Sequence, residues 1–346
     1  MKRIFIVGPS FFGYSKSIAA AFEREGFVVD LFDQWAEGEI ENFREKVIYH
    51  LTRDKEIFFK KKYDAFNRKI ISRYNAFKPD IVFVIRGAVL TNNSLLIMKK
   101  SMLVLWMMDS IFLVKNTLRN IALYDHVFLF EKEDIVPLKE QHNIEGWFLP
   151  LALDEKVYYP IPGYDRPIDI LFVGNLYEKR IALLNKLIKQ FPDLNIKIYG
   201  NYFSKARNIK RYLFRKDKEQ YTNRTITPSE LNILYNKTKI CLNIHHDQSV
   251  YGVNQRFFEI SGASAVQVCD RHGFIDDNFD PDAIFTYDSE EELFQMINNI
   301  LADYSRIKNK AETIYKTVIT HHTFHNRIKY ILQHILPTNE QPRENS

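Results

Sequence analysis

Short apolar runs alternate with longer amphipathic stretches along most of the chain. In the first half, six runs have the length of buried strands, at residues 3–7, 28–32, 81–85, 103–107, 127–130 and 146–149. Helical periodicity lies between them, most clearly at residues 14–25 and 54–77. Strands that alternate with helices are typical of parallel sheets with crossover helices. The first half therefore predicts an α/β domain.

The same pattern restarts in the second half. Strand-length runs recur at residues 168–173, 196–199, 240–244, 265–269 and 283–287. Helices are predicted at residues 179–190, 229–236, 254–261 and 290–303, and a last one at 325–336. We therefore expect an α/β fold of two Rossmann-like domains, each with a parallel sheet.

A segment rich in proline separates the halves. Pro150, Pro160, Pro162 and Gly163 fall in a short span that cannot continue a central strand or helix. We assign residues 1–152 to an N-terminal domain and 165–318 to a C-terminal one. Residues 319–337 are expected to form a helix that crosses back to the first domain, and the polar residues 338–346 a disordered tail.

Composition supports a two-domain globular protein. The 346 residues exceed one ordinary core, and 46% are hydrophobic against 26% charged. Cys241 and Cys269 both stand in apolar runs, which argues against a disulfide framework and for a reducing compartment. No uncharged apolar run reaches the roughly 18 residues of a membrane span, and no signal-peptide pattern opens the chain. We expect a cytoplasmic protein.

Positive charge is concentrated in two segments, residues 53–73 and 205–218, although the net charge is only +5. Such segments are either solvated helix faces or surfaces for an anionic acceptor or the inner face of an anionic membrane. No nucleic-acid-binding motif accompanies them, so we expect no nucleic-acid partner.

The loop after the first strand looks at first like a nucleotide site. A dinucleotide fingerprint needs glycine where Ser10 stands, and a phosphate-binding loop needs lysine where Tyr14 stands. Asp30 or Asp33 could act as the acidic ribose ligand of a dehydrogenase, so an NAD-type oxidoreductase stays an alternative. We interpret the loop instead as the lining of a cleft.

Three segments carry a specific resemblance. Residues 149–154 (LPLALD), 169–175 (DILFVGN) and 254–263 (NQRFFEISGA) resemble GT-B glycosyltransferases, in particular the spore-maturation CgeB-like group. Residues 289–293 and 322–327 are similar to the ending of that group. The resemblance covers most of residues 150–335. Over residues 1–148 it is architectural, apart from residues 106–110 (WMMDS).

This resemblance implies a GT-B fold whose two domains face a cleft. The implied activity is transfer of a sugar from a nucleoside-diphosphate sugar, a co-substrate, to a hydroxyl on a glycan, lipid-linked or protein acceptor. Cell-surface polysaccharide, glycolipid and protein glycosylation are the implied settings. The resemblance implies no catalytic metal and no other cofactor. A non-catalytic protein that binds a nucleotide or sugar on the same fold is the main alternative.

Several residues of the second half suit a nucleotide-sugar donor. Arg180, with Lys179 beside it, follows the loop of Gly174 and Asn175 by one helical turn, where a guanidinium can bind phosphate. The alternative is an exposed helix charge. The resemblance assigns Glu259 to the ribose hydroxyls.

The alternatives to that ribose role are a buried pair with Arg256, which is itself a candidate donor-binding residue, and a place at the N-terminus of another helix.

The loop before the helix at 254–261 provides further candidates for the donor site. Backbone amides near Gly252 and Asn254 could hold the diphosphate, with His245 or His246 beside it. Tyr251 stands where many retaining GT-B enzymes carry a second glutamate, so neither inversion nor retention is assigned. The histidines lack a neighbouring HExxH pattern, and we expect no metal site.

The first half offers a candidate base. Asp109 follows the strand at 103–107, and the carboxyl ends of parallel strands face the ligand crevice. The alternative is that Asp109 caps a helix that starts near Ser110. The other residues expected on the acceptor side are Gly8, Ser10, Gly13, Tyr14 and Arg86.

Overall fold

The chain forms two units, each built around one parallel sheet. The computed structural model describes residues 1–9, 13–33, 55–200 and 218–336. One unit comprises Met1–Leu151 with Phe324–Ser346, and the other Ala152–Thr323. Ser10, the basic residues at 205–217 and the expected tail at 338–346 lie outside the described residues.

The first sheet is entirely parallel, with the order β2-β1-β3-β4-β5-β6. Strands β1, β3 and β4 are almost continuously buried, which explains their unbroken apolar runs. The strand order reverses between β1 and β3. Its strands are β1 (Arg3–Gly8), β2 (Val28–Asp33), β3 (Ile81–Ile85), β4 (Met102–Met107), β5 (His126–Leu129) and β6 (Trp147–Phe148).

Helices connect these strands. The sequence pattern predicts the two longer ones but misses the three short ones, whose five to eight residues hold too few turns to show a period. The helices are α1 (Tyr14–Arg24), α2 (Lys55–Phe77), α3 (Asn92–Met98), α4 (Lys115–Arg119) and α5 (Ile135–His142).

The second sheet is also parallel, and its order is β12-β11-β10-β7-β8-β9. Counted from β7, this is the 3-2-1-4-5-6 order of a Rossmann fold, and it reverses between β7 and β10. The two-residue strand β9 is too short for the sequence to predict. The strands are β7 (Ile168–Val173), β8 (Ile196–Tyr199), β9 (Tyr221–Thr222), β10 (Thr238–Asn243), β11 (Val266–Asp270) and β12 (Phe285–Tyr287).

The helices of the second unit cover its sheet. They are α6 (Glu178–Gln190), α7 (Pro228–Asn236), α8 (Gln255–Gly262), α9 (Gly273–Asn278), α10 (Glu290–Ala302) and α11 (Tyr304–His321). Sequence reasoning overlooks α11, although its buried residues Ile307, Ala311, Ile314 and Val318 have helical spacing. A capping box between Thr227 and Glu230 begins α7.

The last helix, α12 (Phe324–Ile335), belongs by its contacts to the first unit. The ring of Phe324 lies 5.9 Å from that of Tyr14 and 6.1 Å from that of Trp106. Buried Arg327 donates to the carbonyl of Pro150 at 2.9 Å and to that of Leu151 at 3.1 Å. These bonds satisfy carbonyls where the chain leaves the first unit.

The ends of β7 and β8 approach so closely that only glycine fits between them. A Cβ on Gly200 would lie 2.2 Å from the carbonyl oxygen of Gly174. A Cβ on Gly174 would lie 3.2 Å from the ring of Phe172 and 3.6 Å from Nη1 of Arg180, which are both side-chain atoms. The contact at Gly200 involves backbone, which cannot rotate away, whereas those at Gly174 involve side chains that can shift.

We predict that Gly200→Ala destabilises the protein more than Gly174→Ala does. The backbone clash should place the first variant in the upper part of the roughly 1–3 kcal/mol range of overpacking. Urea unfolding of both variants and the wild type measures the difference. Equal midpoints for the two variants would contradict the close approach of these strand ends.

Candidate functional site

The candidate site lies where the second sheet reverses its strand order, between β7 and β10. In open parallel sheets, ligands bind outside the carboxyl ends of the strands at this switch point. Gly174 follows β7 and His245 lies two residues beyond β10, which are neighbouring strands. The residues gathered here form what we call the switch-point cluster: Arg180, His245, Asp270, His272 and Tyr287.

Arg180 ties the two loops together. From the first turn of α6, its guanidinium donates to the carbonyl of Asn175 at 2.8 Å and to that of Ile244 at 2.6 Å. The guanidinium lies 5.2 Å from the centre of the Tyr177 ring. Arg180 is thus half-buried at the switch point, and the alternative of an exposed helix charge is wrong.

Asp270 joins two histidines. One carboxylate oxygen accepts from the backbone nitrogen of His245 at 2.9 Å and lies 2.8 Å from its Nδ1. The other oxygen lies 3.0 Å from Nε2 of His272. Both histidine side chains are buried, with 1% and 6% exposure. Because Asp270 ends β11, the sheet itself fixes the position of the carboxylate.

Burial and hydrogen bonding set the charges of this group. Burial alone would raise the pKa of Asp270, but hydrogen bonds from His245 and His272 outweigh it and hold the pKa well below its usual range. Burial lowers the pKa of His245, against the opposing effect of Asp270. Asp270 is therefore ionised and His245 neutral near pH 7, with the proton of His245 on Nδ1.

Three buried polar atoms of the cluster have no hydrogen-bond partner within the described part of the chain. They are Nε of Arg180, Nε2 of His245 and the hydroxyl of Tyr287. Buried polar groups without partners are costly, so such atoms together indicate a place for a polar ligand. Arg180 supplies positive charge and an N–H donor, which suit an oxyanion such as phosphate.

The same group could in principle hold a metal ion. His245, Asp270 and His272 each offer one ligand atom, all within 4.8 Å of one another. However, both histidines already contact Asp270 directly, and the charge of Arg180 acts on Asp270 and His245. A neighbouring guanidinium opposes a divalent cation and favours an anion. We therefore assign no metal to these residues.

The remaining candidates of this loop make other contacts. Lys179 forms an exposed ion pair with Asp247 at 2.8 Å. The ring of His246 packs edge-on against that of Tyr177, with centres 4.8 Å apart. Tyr251 donates to Asp277 at 2.7 Å, and Gly252 is buried. Lys179 therefore follows the same loop as Arg180 but has a different, solvent-exposed partner.

Asn254 and Glu259 stand on α8. Asn254 caps this helix by accepting from the nitrogen of Phe257 at 3.2 Å. Glu259 is buried, 3.5 Å from a nitrogen of Arg256, and accepts from the hydroxyl of Tyr235 at 3.4 Å. These contacts match the alternative of a buried pair with Arg256. Assignment of Glu259 to the ribose stays a prediction.

In the first unit, Asp109 and Arg86 come together. Nε of Arg86 lies 2.7 Å from a carboxylate oxygen of Asp109, and both side chains are about one-third exposed, 36% and 31%. Arg86 directly follows β3 and has a positive φ of 66°. The residue in the N-cap position of the short 3₁₀ helix Ile111–Leu113 is Ser110 and not Asp109, and Asp134 accepts from the nitrogen of Ile111 at 2.9 Å.

The expected acceptor-side residues near β1 also have structural roles. A Cβ on Gly8 would lie 2.6 Å from the Cβ of Ile85, so glycine is required where β1 meets β3. Gly13 precedes α1 with a φ of 92°, a conformation that glycine favours. Tyr14 begins α1, and its side chain is buried with its ring against that of Phe324. Its assignment to the acceptor side stays a prediction.

Sequence reasoning misses Asp270, His272 and Tyr287. Asp270 carries the same signal that selects Asp109, an acidic residue directly at the carboxyl end of a predicted strand. The expected strand at 265–269 ends one residue early, which leaves Asp270 outside it. Tyr287 also ends a predicted strand, at 283–287, but a tyrosine there is not by itself a functional signal. His272 follows Asp270 by two residues, and nothing in the sequence indicates that its ring turns back to the carboxylate.

Comparison with known proteins finds one family model that matches the second half of the chain. A family model described as "Glycosyl transferase-like" matches residues 179–333, which include Arg180, His245 and Asp270. Searches of curated proteins find no significant match. The match to the family model thus lies within the second half of the chain.

Solved structures match over nearly the whole chain. Sucrose-phosphate synthase from Thermosynechococcus elongatus has 11% identity and a TM-score of 0.68, covering 97% of this chain and 99% of its own. HepE of Anabaena with UDP-glucose has 10% identity and a TM-score of 0.64, with the same coverage. A putative UDP-N-acetylglucosamine 2-epimerase from Listeria monocytogenes has 11% identity, a TM-score of 0.60 and 99% coverage of both chains.

The expected fold class is confirmed. Two parallel six-stranded sheets with helices, and neighbours that include GT-B glycosyltransferases, define a GT-B fold. Within it, residues 179–333 are glycosyl transferase-like in sequence. No helix among the described residues is long and apolar enough to cross a membrane.

We predict that His245 causes part of the loss of stability in mild acid. Its pKa in the folded state lies below the unfolded value of about 6.5. The unfolded state therefore binds more protons below that pH, so this contribution is complete above about 6.5 and is lost as the pH falls through that value.

The variant His245→Gln should consequently show a shallower decline in the free energy of unfolding between about pH 7.5 and 5.5. Urea unfolding across this range measures the slope. His321→Gln changes an exposed histidine of the same unit and should keep the wild-type slope. Parallel curves for wild type and His245→Gln would contradict a buried, neutral His245.

Proposed function

We propose that this protein is a glycosyltransferase that uses a nucleoside-diphosphate sugar. The observation that carries the proposal is the switch-point cluster, where half-buried Arg180 has a buried Nε donor without a partner among the described residues, beside neutral His245. A diphosphate is the part of the donor that needs such a cation. The family match over residues 179–333 favours transfer over the epimerase chemistry of one fold neighbour.

We propose that the donor is a UDP-sugar. HepE of Anabaena, which shares the fold, has been solved with UDP-glucose and with UDP. In our proposal, the loop of Gly174 and Asn175, together with Arg180, contacts the phosphates. Glu259 could receive the ribose only if its contact with Arg256 rearranges.

The finer assignments rest on the resemblance to CgeB-like enzymes. We propose transfer to a hydroxyl of a glycan, lipid-linked or protein acceptor, without a catalytic metal or further cofactor, at the cytoplasmic side of the membrane. Cell-surface polysaccharide, glycolipid or protein glycosylation would use such a product. The acceptor residues in this proposal lie on the first unit, around Arg86 and Asp109.

The chemistry requires charge to move in two places. The bond between the anomeric carbon and the β-phosphate oxygen breaks, and its electron pair stays on the diphosphate. Arg180 stabilises this charge, which is greater in the product than in the donor. The acceptor oxygen bonds to the anomeric carbon and loses its proton to a base, for which we propose Asp109. Arg86 then holds the carboxylate in one orientation.

The oxidoreductase alternative loses support. Asp30, a possible ribose ligand in that reading, accepts from Nε of Arg73 at 2.8 Å and from Nη2 at 2.5 Å. A carboxylate used by both arms of a guanidinium has less capacity for ribose hydroxyls. A non-catalytic binding protein remains the competing function, because Tyr251 replaces a glutamate of many retaining enzymes.

We expect UDP to stabilise the protein against thermal unfolding more than GDP, TDP, CMP or NAD does. A ligand at a hundred times its dissociation constant stabilises by about 2.7 kcal/mol. Differential scanning fluorimetry with each ligand measures the shift. A larger shift with NAD would favour the oxidoreductase, and no shift with any of them would remove the main support for a transferase.

Slow hydrolysis of the donor separates an enzyme from a binding protein. We expect UDP-glucose incubated with the protein to release UDP, and Arg180→Ala to release it more slowly. Binding of UDP-glucose without release under any acceptor would favour the non-catalytic alternative.

Substitutions in the two units should affect different quantities, the affinity for UDP in the second unit and turnover in the first. Arg180→Ala removes a charge-assisted contact, and we expect it to weaken UDP binding by roughly 1.5–3 kcal/mol. Lys179→Ala, the neighbouring exposed charge, should have a much smaller effect. Asp109→Asn keeps the side-chain shape and should leave UDP affinity near wild type while turnover falls about a hundredfold or more.

Calorimetry of UDP binding and the rate of UDP release report these two quantities separately. Equal losses of affinity in Arg180→Ala and Lys179→Ala would mean that the phosphates bind elsewhere. Full turnover in Asp109→Asn would show that another group removes the acceptor proton.

A further inference from the structure

His272 has a hydrogen-bond acceptor at each ring nitrogen. Its Nδ1 lies 3.2 Å from the carbonyl oxygen of Val250, and its Nε2 lies 3.0 Å from a carboxylate oxygen of Asp270. A carbonyl oxygen and an ionised carboxylate can only accept, so each contact is a hydrogen bond only if the ring nitrogen that faces it carries a proton. A neutral ring can satisfy one of the two acceptors, and a doubly protonated ring satisfies both.

The contact with Asp270 also determines which ring nitrogen of His245 carries the proton. Its second oxygen accepts from the backbone nitrogen of His245 and faces Nδ1 of the ring. The proton of neutral His245 therefore sits on Nδ1, and Nε2 carries a lone pair. This is the arrangement in which a carboxylate fixes the tautomer of a histidine and leaves the other nitrogen able to accept a proton.

Nε2 of His245 is buried and has no partner among the described residues. The charged and titratable groups that act on His245 are Asp270 from β11, His272 from the following loop and Arg180 from α6. Tyr287, which ends β12, interacts with Asp270 and Arg180. Arg180 is a cation, and His272 is a second one when both of its ring nitrogens donate, whereas Asp270 is the one anion among these three groups. The surroundings therefore favour an incoming negative charge.

A bare lone pair repels a phosphate oxygen, and the repulsion ends when the nitrogen gains a proton. We propose that a diphosphate bound at the switch-point cluster makes His245 take up one proton from solvent, and that Asp270 and His272 are positioning residues which keep its Nε2 ready to receive it. This inference rests on the proposed function only in taking the diphosphate as part of the donor.

The proton would distinguish product from donor. In a nucleoside-diphosphate sugar the β-phosphate is a diester with one negative charge, whereas in the released diphosphate it is terminal, with a second pKa of about 6. The additional negative charge of the product favours protonation of His245, and the donor lacks this charge. His245 then neutralises the leaving group after the glycosidic bond has formed.

Nitrogen-15 NMR of the full chain labelled at histidine tests these protonation states. At about pH 7.5, where an unperturbed histidine with a pKa of about 6.5 is mostly neutral, we expect His272 to be doubly protonated and His245 to be protonated only on Nδ1. Inorganic pyrophosphate at millimolar concentration should then protonate Nε2 of His245. His245→Gln and His272→Gln assign the two signals, and His321→Gln provides the control.

The positioning role of Asp270 is tested by the tautomer of His245 in a variant of Asp270. In Asp270→Asn we expect His245 to lose its fixed tautomer and to stay neutral when pyrophosphate is added, even if the variant keeps its thermal stability. A merely structural role for Asp270 would change stability and leave the tautomer and its response as in the wild type. That result would overturn the assignment of Asp270.

Other outcomes are equally decisive. A neutral His272, or pyrophosphate that binds without protonating His245, overturns the inference. Failure of pyrophosphate to bind also overturns it but leaves the proposed function standing if UDP still stabilises the protein. Zinc ions that displace the ring protons of both histidines would show a metal site in place of an anion site.

Discussion

The bridge that Arg180 forms between two loops is the interaction on which the candidate site depends. By donating to the carbonyls of Asn175 and Ile244, it fixes the loops after β7 and β10 to each other. The parallel sheet brings these loops together only because its strand order reverses there. The same side chain thus satisfies backbone carbonyls and presents positive charge, so the structural role of Arg180 is compatible with the ligand-binding role that we propose for it.

Burial of polar groups at this edge has a cost that the sheet offsets. His245, Asp270 and His272 come from the ends of buried strands whose apolar residues form the core of the second unit. The rigid core keeps the carboxylate between the two rings, and low solvent access strengthens each hydrogen bond. Preorganised charge of this kind is the means by which enzymes stabilise charge that develops during a reaction.

The sequence predicts the sheets well and the site only in part. Continuous apolar runs reveal buried parallel strands, because both faces of such strands are covered. Arg180 and His245 could be found because each follows a strand, but their partners could not. The pairing of His272 with Asp270 depends on side-chain directions that no spacing encodes. The contact of Asp109 with Arg86 likewise has no signal in the sequence, whereas the pairing of Glu259 with Arg256, three residues earlier on the same helix, could be weighed from the sequence.

The placement of α12 has a consequence for the order in which the chain folds during synthesis. The second unit is continuous from Ala152 to Thr323, so all of it has emerged before Phe324. The first unit needs Phe324 against Tyr14 and Trp106, and Arg327 against Pro150, across a long interval of sequence. Contacts of such separation form late because closing the loop costs entropy. The domain made first by the ribosome is therefore the one completed last.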